Sequence, residues 1–257
     1  MRFALHCLSF AALVASATVT AAAEIRVLTV GSTQFAAKAI GEAFGKATDH
    51  TVTFAVTAPF LIDKELAAKP FDAVIVAAPQ MAGLDKAGQL KPGSRVAISR
   101  VGIGVVVRDG APLPDIATPE AFKRTMLAAR SITYSDPAVP NLAGGVAIEA
   151  LSKAGILDQI KPKVRLAMLG PGADLIIKGE AELGFFNLSE VLPGLKVVGP
   201  VPAPLQGYTF YEMAVLAKSA APAETAALIG QMASAGSGDR WRAAALEPAA
   251  AYQGASK

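Results

Sequence analysis

Hydrophobic and polar positions change rhythm repeatedly along this chain. Ile25–Val30 is a β-rich run that opens on Gly31, Ser32 and Thr33. Phe35, Ala39, Ile40, Ala43 and Phe44 then recur at helical spacing, which predicts a helix from about Gln34 to Lys46. Thr51–Val56 returns to a strand, and Leu61–Ala68 reads as a short helix ended before Pro70. Asp72–Ala78 is continuously apolar after its first residue, as in strands buried on both faces of a parallel sheet. Val96–Val107 is a long strand-like run, and Thr118-Pro119 reads as a cap and first turn of a helix. Beyond it come strands at 131–135, 164–168, 182–186 and 207–217. Helices are predicted at 144–154, 173–178, 222–234 and 239–245.

Strands alternating with helices argue for an α/β fold with mostly parallel sheets. The two long strand-like passages, 96–107 and 207–217, are where a chain would cross from one lobe to another and back. That predicts a discontinuous first lobe, 24–98 with 207–257, and a continuous second lobe, 99–206. Such folds bind ligands in the cleft at the carboxyl ends of their strands. The segment before residue 24 reads differently. Arg2, an apolar run from Leu8 to Val19 and a small-residue end predict a signal peptide over residues 1–23, cleaved after Ala23. No later stretch is long and apolar enough to span a bilayer.

Composition narrows the chemistry. The chain has 257 residues, 53% hydrophobic and 18% charged, so it has ample material for a core and none of the signature of disorder. Its net charge of +3 comes without any Lys/Arg run, which excludes a phosphate-tracking surface for nucleic acid. Removing the leader takes away Cys7 and His6, leaving no Cys and only His50. Cysteine nucleophiles, disulfides and cysteine-ligated metals are thereby excluded, and His50, between a helix and a strand, reads as a loop residue. Gly102 and Gly104 lie inside a strand without a third glycine, so they form no dinucleotide fingerprint. Asp72 reads as a loop carboxylate and Trp241 as a half-covered packing anchor. Phe185 and Phe186 are expected to divide between core and surface, and Tyr134 and Tyr208 to sit in the cleft or at a hinge.

The informative positions are the strand ends. Gly31-Ser32-Thr33, Val56-Thr57-Ala58-Pro59, the stretch from Ser135-Asp136-Pro137 to Ala143-Gly144-Gly145, and Gly170-Pro171-Gly172 each precede a helix. Helix starts offer unpaired N–H groups to anions. Ser32, Thr33 and Thr57 add hydroxyls, and none of the four turns contains Lys or Arg. This pattern suits an anion held by neutral donors, or an uncharged polar ligand. Taken singly, each turn reads as simple helix capping; four of them at successive strand ends point to a common cleft.

The Ser135-Asp-Pro … Ala143-Gly144 … Glu149-Ala-Leu151 block and Lys178-Gly-Glu-Ala-Glu-Leu-Gly184, with Gly31-Ser32-Thr33 and Phe71-Asp72-Ala-Val-Ile-Val, carry a resemblance. Over essentially the whole chain after residue 23, the sequence is similar to the periplasmic molybdate-binding protein of ABC importers, a type II solute-binding protein. The resemblance implies a two-lobed periplasmic binding fold whose cleft closes on a tetrahedral oxyanion such as molybdate, tungstate or sulfate. It implies a monomer working with an ABC permease in the inner membrane, with no cofactor, no metal-cation ligands and no catalysis. By that resemblance, Ser32, Thr33 and Thr57 serve from the first lobe, and Ala143, Gly144, Gly170, Gly172 and Asn187 from the second. Pro171 has no N–H, so Gly172 takes over as donor, and Asn187 stands where the family has Tyr. A small organic carboxylate or other polar solute is the alternative ligand. A secreted hydrolase is the alternative of another class, and an activated nucleophile or paired carboxylates in the cleft would favour it.

Overall fold

The computed structural model describes residues 22–139 and 143–253. The expected signal peptide falls on residues 1–21, apart from its last two positions, and so lies outside the described residues, as does Leu142 of the third turn. The first half runs β1 (Glu24–Val30), α1 (Gln34–Thr48), β2 (Thr51–Thr57), α2 (Ile62–Ala68), β3 (Ala73–Ala77), α3 (Ala78–Lys86) and β4 (Val96–Arg108). There follow α4 (Pro119–Ala128), β5 (Ile132–Tyr134), α5 (Ala143–Lys153), α6 (Leu157–Ile160), β6 (Val164–Leu166), α7 (Leu169–Ile177), β7 (Leu183–Asn187) and β8 (Leu195–Pro200). The chain closes with β9 (Tyr208–Val215), α8 (Pro222–Ala233), α9 (Gly238–Ala243), β10 (Glu247–Pro248) and α10 (Ala249–Gln253).

The strands form one path in the order β2-β1-β3-β9-β4-β7-β5-β6. Pairing is parallel between β1 and both β2 and β3, and between β5 and both β6 and β7. Every antiparallel pairing involves β4 or β9. One core gathers around Leu28, Ile40, Ile75, Met213 and Trp241. A second gathers around Ile103, Phe122, Ile132, Leu151 and Phe185, and a smaller third around Val106, Ile176 and Phe186. The result is a mixed α/β, two-lobed fold. β4 is the shared member: Val96–Gly102 pairs with β9, while Ile103–Val106 pairs with β7 and Gly104–Arg108 with β8. Where the pairing changes, the buried Gln206 amide accepts from the Ile103 N–H at 3.1 Å and donates to the carbonyls of Ile103 (3.0 Å) and Val201 (3.3 Å). It takes the place of a neighbouring strand for those backbone groups.

Several expectations change on contact with the fold. The buried face of α1 is Ala36, Ala37, Ile40, Gly41 and Phe44, and Phe35 is exposed. α7 starts at Leu169, so Gly170-Pro171-Gly172 is its first turn and not a loop before it; proline fits there because first-turn N–H groups need no helical partner. α3 was masked by the apolar run of β3, whose last predicted residue, Ala78, begins the helix with Pro79 beside it. The short β10, α6 and α10 carry too few residues for a period to show, and β8 was not anticipated. Phe185 and Phe186 are both buried, because the two faces of β7 are covered by different cores. Trp241 is wholly buried, with its indole N–H donating to the Met232 carbonyl at 2.9 Å. Thr118 caps α4 by accepting from the Ala121 N–H at 3.1 Å. His50 packs against Phe44, and its Nδ1 accepts from the Ala23 N–H at 3.2 Å.

Asp72 is fully buried and structural. Its carboxylate accepts from the Arg26 N–H (2.9 Å), the Ala220 N–H (2.9 Å), the Ser219 hydroxyl (3.0 Å) and, at 3.4 Å, Arg26 Nε. Burial alone would push this carboxyl up, but the Arg26 and Ala220 N–H groups and the Ser219 hydroxyl outweigh it and hold it below its ordinary value. An unfolded Asp titrates near about 3.9. Asp72 therefore stabilises the fold fully above that pH, and the contribution is lost as pH falls through the lower folded-state value. Asp72→Asn, which turns an acceptor into an amide donor facing donors, is expected to cost roughly 2–4 kcal/mol at neutral pH. Urea unfolding at pH 7 and pH 3 checks both statements: the gap between wild type and variant narrows in acid, and a gap independent of pH refutes the assignment.

Candidate functional site

A cavity of about 350 Å³ lies between the two halves, at the carboxyl ends of the parallel strands. From the first half it receives the end of β1 with Gly31 and Ser32, the end of β2 with Thr57, Ala58 and Pro59, then Ala77, Gln80 and Tyr211. From the second half come Tyr134 and Ser135 after β5, Ala143 at the start of α5, Ala167–Leu169 at the start of α7, and Phe185, Phe186, Asn187 and Glu190. Helices α5 and α7 thus both begin at this cavity, and α3 begins beside it, so their partly positive N-terminal ends surround the space. The lining contains no Lys, Arg, His or Cys among the described residues; its one carboxylate is Glu190. No cluster of three metal-ligating side chains occurs among the described residues.

Four of the eight residues expected to hold ligand line this cavity: Ser32, Thr57, Ala143 and Asn187. The other four are absent from its wall, each for a local reason. Thr33 turns inward; its hydroxyl meets that of Thr29 at 2.7 Å and donates to the Val30 carbonyl at 3.3 Å. Gly144 donates its N–H to Ser135 Oγ at 2.8 Å, and an added Cβ there would collide with the Ser135 carbonyl. Its part is to let α5 approach β5 and to orient Ser135. Gly170 is exposed on α7. Gly172 is buried against Phe186, and its N–H is spent on the Met168 carbonyl at 2.7 Å inside the helix. Once α7 begins at Leu169, the residues at the cavity are Met168 and Leu169 instead.

Sequence reasoning missed Ser135, Gln80, Tyr211 and Glu190 as wall residues; Tyr134, expected in the cleft or at a hinge, lines the cavity. Ser135 was inside a turn already singled out, and Glu190 follows Asn187 by three residues at a strand end. Gln80 and Tyr211 gave no signal, because α3 was not anticipated and Tyr211 lies in mid-strand. Asn187 joins the two halves: its Nδ2 donates to Ser32 Oγ at 3.3 Å and to Glu190 Oε2 at 2.8 Å, while its buried Oδ1 has no partner. Gln80 Nε2 donates to the Pro59 carbonyl at 2.7 Å, leaving Oε1 likewise unpaired. Burial pushes the Tyr211 phenol well up, the nearby Glu190 carboxylate adds to this, and the Ser32 hydroxyl opposes it. Burial also pushes the Tyr134 phenol up, with Lys161 acting the other way. Both tyrosines are therefore neutral hydroxyls at physiological pH. The arrangement can receive an acidic group with hydroxyl donors and helix ends, without a cation.

Known proteins share this architecture. Aconitate isomerase of a Pseudomonas species is 32% identical over 237 residues, covering 87% of this chain and 88% of that protein. A solved substrate-binding domain assigned to a molybdenum ABC transporter of Clostridium difficile superposes with a TM-score of 0.72 at 17% identity, covering 88% of this chain and 99% of the other. The periplasmic molybdate-binding protein of Azotobacter vinelandii gives 0.65 at 19% identity, covering 86% and 98%. At such identities the two structures speak for the fold alone. Among the described residues no helix is long and apolar enough to cross a membrane. Residues 25–244 match the family described as bacterial extracellular solute-binding protein, and the chain belongs to that family.

Proposed function

We propose that this chain is an extracytoplasmic receptor that captures a small organic acid in the cleft between its lobes and delivers it to an ABC permease. The observation that carries this reading is the cavity. Its volume of about 350 Å³ falls in the range of about 300–1,000 Å³ usual for small organic ligands, and it is lined by Tyr134, Phe185, Phe186 and Tyr211 as well as by hydroxyls. An acid group would be held by Ser32, Thr57 and Ser135 and by the N-terminal ends of α5 and α7. The carbon skeleton would lie on the aromatic rings. The relative named for aconitate, a carboxylic acid, supports the same class of ligand. A bare tetrahedral oxyanion such as molybdate, the ligand implied by the first resemblance, would leave most of this apolar wall uncovered. Contacts to both halves at once would favour the closed arrangement of the lobes, which is the signal a permease reads.

A second reading is favoured by Glu190. A carboxylate in the wall of a cavity that takes acids is what a proton shift on a bound unsaturated acid would use, so the chain would be an isomerase. Incubation with trans-aconitate followed by proton NMR decides this: formation of cis-aconitate supports the isomerase, and its absence with bound ligand leaves the receptor.

Thermal unfolding in the presence of succinate, malate, citrate, aconitate, molybdate or sulfate tests the receptor reading. A true ligand at a hundred times its Kd adds about 2.7 kcal/mol, a rise in Tm of roughly 5–10 °C for a chain of this size. A rise with molybdate or sulfate alone replaces the organic acid by an oxyanion; no rise with any of them sinks the proposal. Ser32→Ala is expected to weaken the active ligand by about 5- to 100-fold, whereas Thr33→Val, whose hydroxyl points away, leaves affinity within about twofold and lowers Tm. Equal losses of affinity from both variants would contradict the geometry.

A further inference from the structure

We infer that the ligand presents a hydrogen-bond donor to Glu190, so that the cleft prefers organic acids bearing a hydroxyl or ammonium group beside the carboxylate over donor-free acids and oxyanions. The inference rests on the reading of the cavity as the site of a small organic acid, and it specifies which acids.

The argument is a balance of donors and acceptors. Glu190 is the one charged residue in the lining among the described residues, and no cation accompanies it there. Its Oε2 accepts from Asn187 Nδ2 at 2.8 Å, and that is its one hydrogen bond among the described residues. An ionised carboxylate has about four acceptor positions, so most of its capacity is unused. Its Oε1 reaches over Gly31, where an added Cβ would stand 2.7 Å away; the carboxylate occupies space that a side chain at residue 31 would fill. Glycine at that strand end therefore admits the acidic group to the wall.

Glu190 also sets the amide beside it. A carboxylate only accepts, so Nδ2 of Asn187 must face it, and the same nitrogen donates to Ser32 Oγ at 3.3 Å. The Ser32 oxygen is then occupied as an acceptor, which leaves its proton to be donated. The site thus has two chemical ends. Hydroxyls and helix starts supply donors for the ligand's carboxylate, and Glu190 supplies an acceptor. A donor-free anion lying against Glu190 meets like charge, which weakens its binding. A ligand hydroxyl or ammonium instead meets an acceptor with open positions, and bonds to ionised groups are the stronger kind.

Three four-carbon acids isolate the feature, because succinate, L-malate and L-aspartate differ at one carbon that bears hydrogen, hydroxyl or ammonium. Their affinities, with molybdate as the donor-free oxyanion, are measured by titration calorimetry on wild type, Glu190→Gln and Gly31→Ala. Malate or aspartate is expected to bind wild type about tenfold or more tighter than succinate and molybdate. Glu190→Gln, which replaces an acceptor oxygen with an amide donor, is expected to reduce that preference to about threefold or less. Gly31→Ala, which displaces the carboxylate while leaving Glu190 in place, is expected to do the same with the Tm of the unliganded protein retained. The comparison of malate with aspartate tells hydroxyl from ammonium. Binding of succinate equal to both others, or a preference that survives Glu190→Gln, overturns the donor rule while leaving the organic-acid receptor standing. Failure of all three acids to bind while citrate or aconitate still raises Tm overturns the donor rule and leaves the organic-acid receptor standing; failure of every acid in both assays overturns both.

Discussion

Everything in this molecule depends on one 13-residue strand that belongs to both halves. β4 hydrogen-bonds to β9 along its first part and to β7 and β8 along its second, so a single length of backbone is part of two cores. Ile98 and Val101 are buried with the first core, and Ile103 and Val105 with the second. A central strand has no free edge, and each of its backbone groups needs a partner. At Ile103, just past the point where β9 leaves, that partner is the Gln206 amide, buried to about 9% exposure. The two parallel half-sheets are consequently joined at the bottom of the cleft, and their strand ends face a common space.

That space owes its character to what surrounds it more than to any one side chain. Strand ends pass directly into helices around it, so backbone N–H groups and the ends of helix dipoles accumulate where no lysine or arginine occurs among the described residues. Hydroxyls from Ser32, Thr57 and Ser135 add donors at neutral pH, and burial keeps Tyr134 and Tyr211 protonated. Glu190 is the counterweight. Its carboxylate lies among these donors with Asn187 between it and Ser32, so the cross-cleft contact and the site's acidic group form one small network. Partly satisfied polar networks in low dielectric are costly, and the buried Asn187 Oδ1 is a member of this one with no partner among the described residues.

The local alternation of strand and helix was legible from residue 25 onward, because each element's apolar rhythm is set by its own neighbours in sequence. The run from Val27 to Val30, the stripe of α1 around Ile40 and Phe44, and the Thr118-Pro119 start of α4 all follow from periodicity and capping, which need no knowledge of distant residues. So did the strand-end turns as places of interest, since a Gly- or Ser-rich turn between a strand and a helix is a local statement. His50 packs on Phe44 at the far end of α1, outside the cavity lining.

Which way each of those turns faces was decided by the tertiary structure. Ser32 and Thr33 are adjacent, yet one hydroxyl reaches Asn187 across the cleft and the other is tied down to Thr29 and Val30. Gly172 was a plausible donor until α7 began three residues earlier and consumed its N–H. Gln80, Tyr211 and Glu190 enter the wall through contacts between segments far apart in the chain, which no short window records. Sequence by itself determined most of the longer elements and the kinds of donor available, because these depend on neighbours within a turn or two. Only the folded chain decided which donors converge and that an acidic group converges with them, because that depends on how β4 and β9 join the two half-sheets.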